Sequence, residues 1–145
     1  MKILILGSDG MLGHVVKHYL KERGSDVICT TRRDEKSPLY FDITNSVSDI
    51  NTIVDREKPD VLINCIGILN KVCEGNKALA VLINSYLPHY LDRLSEEKNF
   101  KFIHVSTDCV FDGEVGNYNE TDFPNAKDMY GRSKALGEVI NDRSV

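Results

Sequence analysis

Lys2-Ile3-Leu4-Ile5-Leu6-Gly7-Ser8-Asp9-Gly10-Met11-Leu12-Gly13 opens the chain and decides how the rest is read. The apolar run at 2–6 has the character of a strand buried on both faces of a parallel sheet. Beyond it, Leu12, Val15, Val16, Tyr19 and Leu20 share one face of a helix predicted over residues 11–23. Gly24 stands where the C-cap of that helix belongs. The three glycines sit between strand and helix, where a phosphate-binding turn is needed. Gly7 permits a tight turn, Gly10 lets the backbone approach a pyrophosphate, and Gly13 allows close helix–strand packing. The helix N-terminus adds N–H donors and a positive dipole. Asp9, Met11 and Leu12 join the glycines as expected cofactor contacts. The spacing G-x-x-G-x-x-G differs from the commoner G-x-G-x-x-G, and three glycines also suit an ordinary turn. Their position between a buried strand and an amphipathic helix favours the dinucleotide loop.

The alternation continues outward from this unit. Strands are predicted at 26–31, 39–41, 61–64 and 102–105. Helices are predicted from Thr44 to about 57, over 76–98 with a bend near Pro88, and over 130–141 with Asp128 as its cap. Residues 114–128 read as a polar loop, and 141–145 as a frayed terminus. Strands alternating with helices predict an α/β fold, a Rossmann-like doubly wound parallel sheet.

At 145 residues the chain is one domain with room for a real core. The net charge of −4, without a basic stripe, argues against a nucleic-acid partner. No apolar run approaches the roughly 20 residues that span a bilayer, so no membrane partner is expected. Cys29, Cys65, Cys73 and Cys109 form no C-x-x-C pair and have no histidine at ligand spacing. They are read as reduced thiols of a cytoplasmic protein, with no metal site.

Cofactor choice is read at the tip of the second strand, Thr30-Thr31-Arg32-Arg33. An acid there would hold a ribose 2′-OH, whereas arginine accepts a 2′-phosphate. Arg32 and Arg33 therefore favour NADPH, with NADH as the lesser option. Asp42 could accept from an adenine amino group while Ile43 packs on the ring; Asp42 also suits a cap before Thr44. Cys65, Ile66 and Gly67 come after the fourth strand, at the carboxyl edge where open α/β sheets bind ligands.

The chemistry is carried by Tyr130-Gly131-Arg132-Ser133-Lys134. Tyr130 and Lys134 are four apart and share a helix face. A lysine ammonium beside a tyrosine favours the phenolate and lowers a pKa that is otherwise near 10. That makes Tyr130 a usable general acid. Ser106 and Thr107, at the end of a strand, can donate to a substrate carbonyl oxygen as charge develops on it. Ser106, Thr107 and Asp108 are the expected substrate contacts.

Gly7–Gly13, Asn64–Gly67, His104–Gly113 and Tyr130–Glu138 together resemble the extended short-chain dehydrogenases/reductases, and more narrowly the dTDP-4-dehydrorhamnose reductase branch. The resemblance implies Thr107, Tyr130 and Lys134 as catalytic residues, with Tyr130 protonating the C4 oxygen. Tyr130 and Lys134 would also contact the cofactor, as would Asn84 in the helix after the fourth strand. The implied reaction is NAD(P)H-dependent reduction of a nucleotide-linked 4-keto-6-deoxy sugar in polysaccharide synthesis. Thr107-Asp108-Cys109 stands where related dehydratases carry Thr-Asp-Glu, which favours reduction over dehydration. Cys109 replaces a tyrosine frequent in the reductases. The resemblance leaves room for a UDP-linked keto-amino-sugar reductase, for an epimerase, and for a non-catalytic NADP-binding regulatory subunit. It also allows a homodimer. The family is nearly twice this length, so residues 1–145 are expected to be the cofactor-binding part, with the C-terminal substrate-binding part absent.

Overall fold

In the computed structural model, residues 1–141 and Ser144 are described. Four strands, β1 (Lys2–Leu6), β2 (Asp26–Cys29), β3 (Val61–Asn64) and β4 (Lys101–His104), form one parallel sheet in the order β2-β1-β3-β4. Register is fixed by Ile5 opposite both Cys29 and Ile63, and by Asn64 opposite His104. All four strands point the same way, so every strand-to-helix connection leaves from one edge.

Alternation along the strands separates two cores. Leu4, Leu6, Leu62 and Phe102 face Ile50, Ile53 and Val54 of α2 (Asp49–Glu57) and Leu87, Leu91 and Leu94 of α5 (Leu87–Lys98). Ile3, Ile5 and Val61 face the other way, against Val16 and Leu20 of α1 (Met11–Glu22). Helices thus cover both faces, as a doubly wound sheet requires. The α1 face is the thinner: Ile103 and Val105 remain more than a third exposed.

The glycine at the end of α1 behaves as its sequence suggests. Gly24 takes a φ of +77°, and the N–H groups of Gly24 and Ser25 return to Lys21 O and Leu20 O. Other boundaries move. The strand predicted at 39–41 is a single bridge between Thr31 and Tyr40. Pro38 has no N–H, and the Tyr40 N–H goes to Ser37 O, so the segment turns instead of running on. α2 starts at Asp49, five residues after Thr44. Asp42 Oδ1 takes both the Thr44 N–H and its hydroxyl, so the capping chemistry closes a turn before the helix.

The helix predicted over 76–98 is composite. α4 (Lys77–Ala80) runs through a π-helical turn (Val81–Tyr86) into α5. Pro88 cannot donate to Asn84 O, and the wider turn ahead of it, with Leu87 N–H reaching Leu82 O, absorbs the misfit. A short helix before it, α3 (Asn70–Gly75), left no periodic signal. The last helix, α6 (Met129–Leu136), is capped as predicted by Asp128, whose Oδ1 accepts the Gly131 N–H at 2.7 Å. It stops five residues earlier than expected. The terminus is not frayed at Ser144, which is buried, bridges Phe102 and bonds Asp92; residues 142, 143 and 145 lie outside the described residues. No described helix is long and apolar enough to cross a membrane.

Candidate active site

Two cavities lie side by side along the carboxyl edge of the sheet. The first, of about 520 Å³, is walled by the segments that leave β1, β2 and β3: Gly7–Gly10, Thr30–Arg33, Phe41–Ile43 and Cys65–Ile68. The second, of about 470 Å³, opens where β4 ends and is lined by His104, Ser106, Thr107, Phe111 and Glu138, with Tyr118 from the polar loop.

The first cavity is built largely of backbone. Gly7 has a φ of +75°, and a Cβ there would lie 3.0 Å from Cys65 and Ile66. A Cβ on Gly13 would lie 2.2 Å from Gly7 O, so α1 seats on the loop only because residue 13 has no side chain. Gly10 forms the non-side-chain cap of α1, whose first turn carries no acid. Its unpaired N–H groups therefore suit an anion. At the far end, Arg33 Nε pairs with Asp9 at 3.3 Å, and Arg32 approaches Asp42 at 4.0 Å. Both guanidiniums are largely exposed and stand on the cavity wall. Burial works to raise the Asp42 carboxyl, yet the two hydrogen bonds from Thr44, with Arg32 adding to them, hold it below the usual carboxylate range. Ile43 is buried beside it. An uncapped helix N-terminus, a side-chain-free cradle and two cations at the β2 end fit a phosphorylated dinucleotide. Of the expected cofactor contacts, Met11, Leu12, Gly13, Tyr130 and Lys134 do not line this cavity.

Asn84 is also off the wall. It is fully buried; its Oδ1 accepts Ile68 N–H at 3.0 Å, while Nδ2 donates to Ile68 O and Ser133 Oγ. It ties the β3 exit to α6. Gly67 passes close by: a Cβ there would lie 3.7 Å from Asn84 Oδ1.

α6 is locked in place from several sides. Ser133 Oγ donates to Tyr130 O, Ser85 Oγ to Ser133 O, and Glu74 accepts the Met129 N–H. A Cβ on Gly131 would strike Cys109 O at 2.2 Å, and one on Gly137 would strike Asn84 O at 1.9 Å. The helix thus presses its backbone against the neighbouring elements. On it, Tyr130 is half-buried, and its hydroxyl has no hydrogen-bond partner among the described residues. Lys134 is 4% exposed. Its Nζ donates to Val105 O at 2.6 Å and lies 3.1 Å from His104 Nε2. Burial lowers the Lys134 ammonium to about 8, against a small opposing pull from Glu138. Burial, with Lys134 and His89 adding, pushes the His104 imidazole down to about 3.

The hydroxyls line the second cavity as expected, in different states. Ser106 Oγ donates to Glu138 at 2.5 Å, whereas Thr107 Oγ1 accepts the Cys109 N–H at the start of a 3₁₀ turn and donates to Asp108 Oδ1 at 3.3 Å. Asp108 itself is off the wall. The residues that sequence reasoning missed are His104, Asn64, Ser133, Glu138 and Gly137. All five lie inside the motif stretches, where their spacing carried no separate signal.

Strand order, glycine loop and the Tyr130–Lys134 helix are those of a short-chain dehydrogenase/reductase. Within that class, residues 1–144 match the family described as RmlD substrate binding domain, and the chain belongs to it. A relative from Haloferax volcanii, described as a probable low-salt glycan biosynthesis reductase, is 36% identical over 95% of this chain and 48% of its own length. A crystal structure of a hypothetical dTDP-4-dehydrorhamnose reductase from Sulfolobus tokodaii superposes with a TM-score of 0.87 at 35% identity, covering 99% of this chain and 54% of that one. The dTDP-4-dehydrorhamnose reductase of Bacillus anthracis, solved in complex with NADP, gives a TM-score of 0.81 at 27% identity over 94% of this chain and 48% of that one. The chain spans about half the length of the curated relatives it matches.

Proposed function

We propose that this chain is the cofactor-binding and proton-donating part of an NADPH-dependent reductase. Its substrate would be the C4 ketone of a nucleotide-linked 4-keto-6-deoxy sugar, reduced in a cytoplasmic pathway of polysaccharide synthesis. The observation that carries this reading is the adjacency of the two cavities: one suits a dinucleotide, and the other carries hydroxyls next to a buried lysine. NADPH, when bound, supplies the hydride.

Gly7, Gly10 and the α1 N-terminus receive the pyrophosphate, with Gly13 holding the helix close enough to do so. Arg32 and Arg33 accept the 2′-phosphate as charge-assisted donors. Asp42 and Ile43 border the adenine, and Cys65, Ile66 and Gly67 shape the floor. Thr107, with Ser106 beside it, turns its one hydroxyl hydrogen from Asp108 to the carbonyl oxygen as negative charge grows there. Tyr130 gives that oxygen its proton. Lys134, one helical turn on, favours the resulting phenolate. Asp108 holds the Thr107 hydrogen until the carbonyl oxygen arrives.

The relatives named as reductases and the glycan-synthesis description support this reading. The test is reduction of a dTDP-4-keto-6-deoxy sugar, followed by loss of nicotinamide absorbance. Tyr130→Phe is expected to lower the rate about 100- to 10,000-fold with NADPH affinity unchanged. An unchanged rate would remove the assignment.

A further inference from the structure

His104 belongs to no part of the scheme above, yet its ring contacts the buried Lys134. On its other side, Nδ1 lies 3.2 Å from Asn64 Nδ2. The orientation of the Asn64 amide is not free. Its Oδ1 accepts the Ile66 N–H at 3.0 Å, so the NH₂ group must be the part that faces the imidazole. An amide NH₂ only donates. Nδ1 must therefore carry the lone pair, and the hydrogen of the neutral ring sits on Nε2. That hydrogen points at Lys134 Nζ, 3.1 Å away.

The consequence falls on the lysine. An ammonium is donor-only and would face the Nε2–H donor against donor. An amine has a lone pair for the Nε2–H and still donates to Val105 O. We propose that His104, its tautomer set by Asn64, is a positioning residue that donates its Nε2–H to the Lys134 amine and so eases loss of the proton from that buried lysine. This rests on the reductase reading given above.

Burial and chain geometry support the arrangement. Phe102 stacks on the His104 ring at 6.2 Å and 19°, which fixes its plane. Burial already disfavours charge on both His104 and Lys134. The titratable groups around the pair are Glu138, one turn beyond Lys134, His89 of α5, and Tyr130. Glu138 opposes the effect on Lys134, and His89 reinforces the neutrality of His104.

Imidazole ¹⁵N resonances of the histidine-labelled chain at neutral pH read the tautomer directly, with His104 assigned by its loss in His104→Gln. A hydrogen on Nε2 is expected. A hydrogen on Nδ1, or a charged ring, would overturn the proposal. Asn64→Asp provides the second arm. A carboxylate accepts from both Ile66 N–H and an Nδ1–H, so the ring hydrogen is expected to move to Nδ1. The Lys134 titration, followed by its Cε shift, should then rise by about one pH unit or more. A switched tautomer with an unmoved Lys134 titration would contradict the proposal. Neither readout needs turnover, so a failed reductase assay and a failed His104 assignment remain distinct results.

Discussion

The two cavities sit on one sheet edge and are built by different means. The glycine-loop cavity is shaped by backbone: a positive φ at Gly7, an uncapped helix start and a missing side chain at Gly13. The β4 side is shaped by buried side chains that bond across the chain, as in Asn64–His104, Lys134–His104 and Asn84–Ser133, with partners 30 to 49 residues apart. A backbone site is set by local sequence and tolerates loss of distant contacts. A site of buried polar side chains depends on every partner, because an orphaned buried group costs about 1–3 kcal/mol.

Four substitutions or titrations bear on that contrast. His104 gives the largest effect. Its folded pKa of about 3 lies below the ordinary 6.5. Above pH 6.5 neither state binds the proton. As pH falls below 6.5 the unfolded chain takes it up and the folded chain does not, so stability is lost at about 1.4 kcal/mol per pH unit. His104→Gln should flatten that slope by about one proton in urea titrations between pH 6.5 and 4, and an unaltered slope would place His104 outside the buried network. Gly137→Ala comes next. Its Cβ would meet a backbone carbonyl, so a loss of about 1–3 kcal/mol is expected in chemical denaturation. Gly13→Ala makes a similar backbone clash on the other side. There the effect should appear in NADPH affinity, weakened about 10- to 100-fold, roughly 1.4–2.7 kcal/mol, since α1 covers only the thinner core. Equal damage to both properties in both variants would erase the distinction. Gly75 is the control: nothing lies within 4 Å of a Cβ there, and Gly75→Ala should leave binding unchanged and alter stability by no more than about 1 kcal/mol.

Legibility in the sequence divides the same way. The β1–Gly7–α1 unit, the Gly24 terminus and the Asp128 cap were legible because each rests on local residue chemistry. The 39–41 strand and the early start of α2 were misjudged because Pro38 and Asp42 direct local hydrogen bonds into turns. The π-helical turn before Pro88 was legible only as a bend, because a proline marks a lost hydrogen bond without saying that the turn ahead of it widens to absorb the misfit. On the catalytic side, Tyr130, Lys134 and Thr107 were legible as a motif, whereas the partners of Lys134 were not. No periodicity or spacing links residue 134 to residues 104 and 64; the parallel pairing of β3 with β4 brings 64 beside 104, and the docking of α6 brings Lys134 to them.

On the function proposed above, the glycine-loop cavity, with its two arginines, selects a 2′-phosphorylated dinucleotide. Calorimetric titration of this chain with NADPH and with NADH, repeated on the Arg32→Ala/Arg33→Ala variant, tests it most directly. Two charge-assisted contacts predict NADPH binding about 10- to 100-fold tighter than NADH, with the preference lost and NADH affinity kept in the variant. Equal affinity for the two cofactors, binding of neither, or a preference that survives loss of both arginines would contradict it.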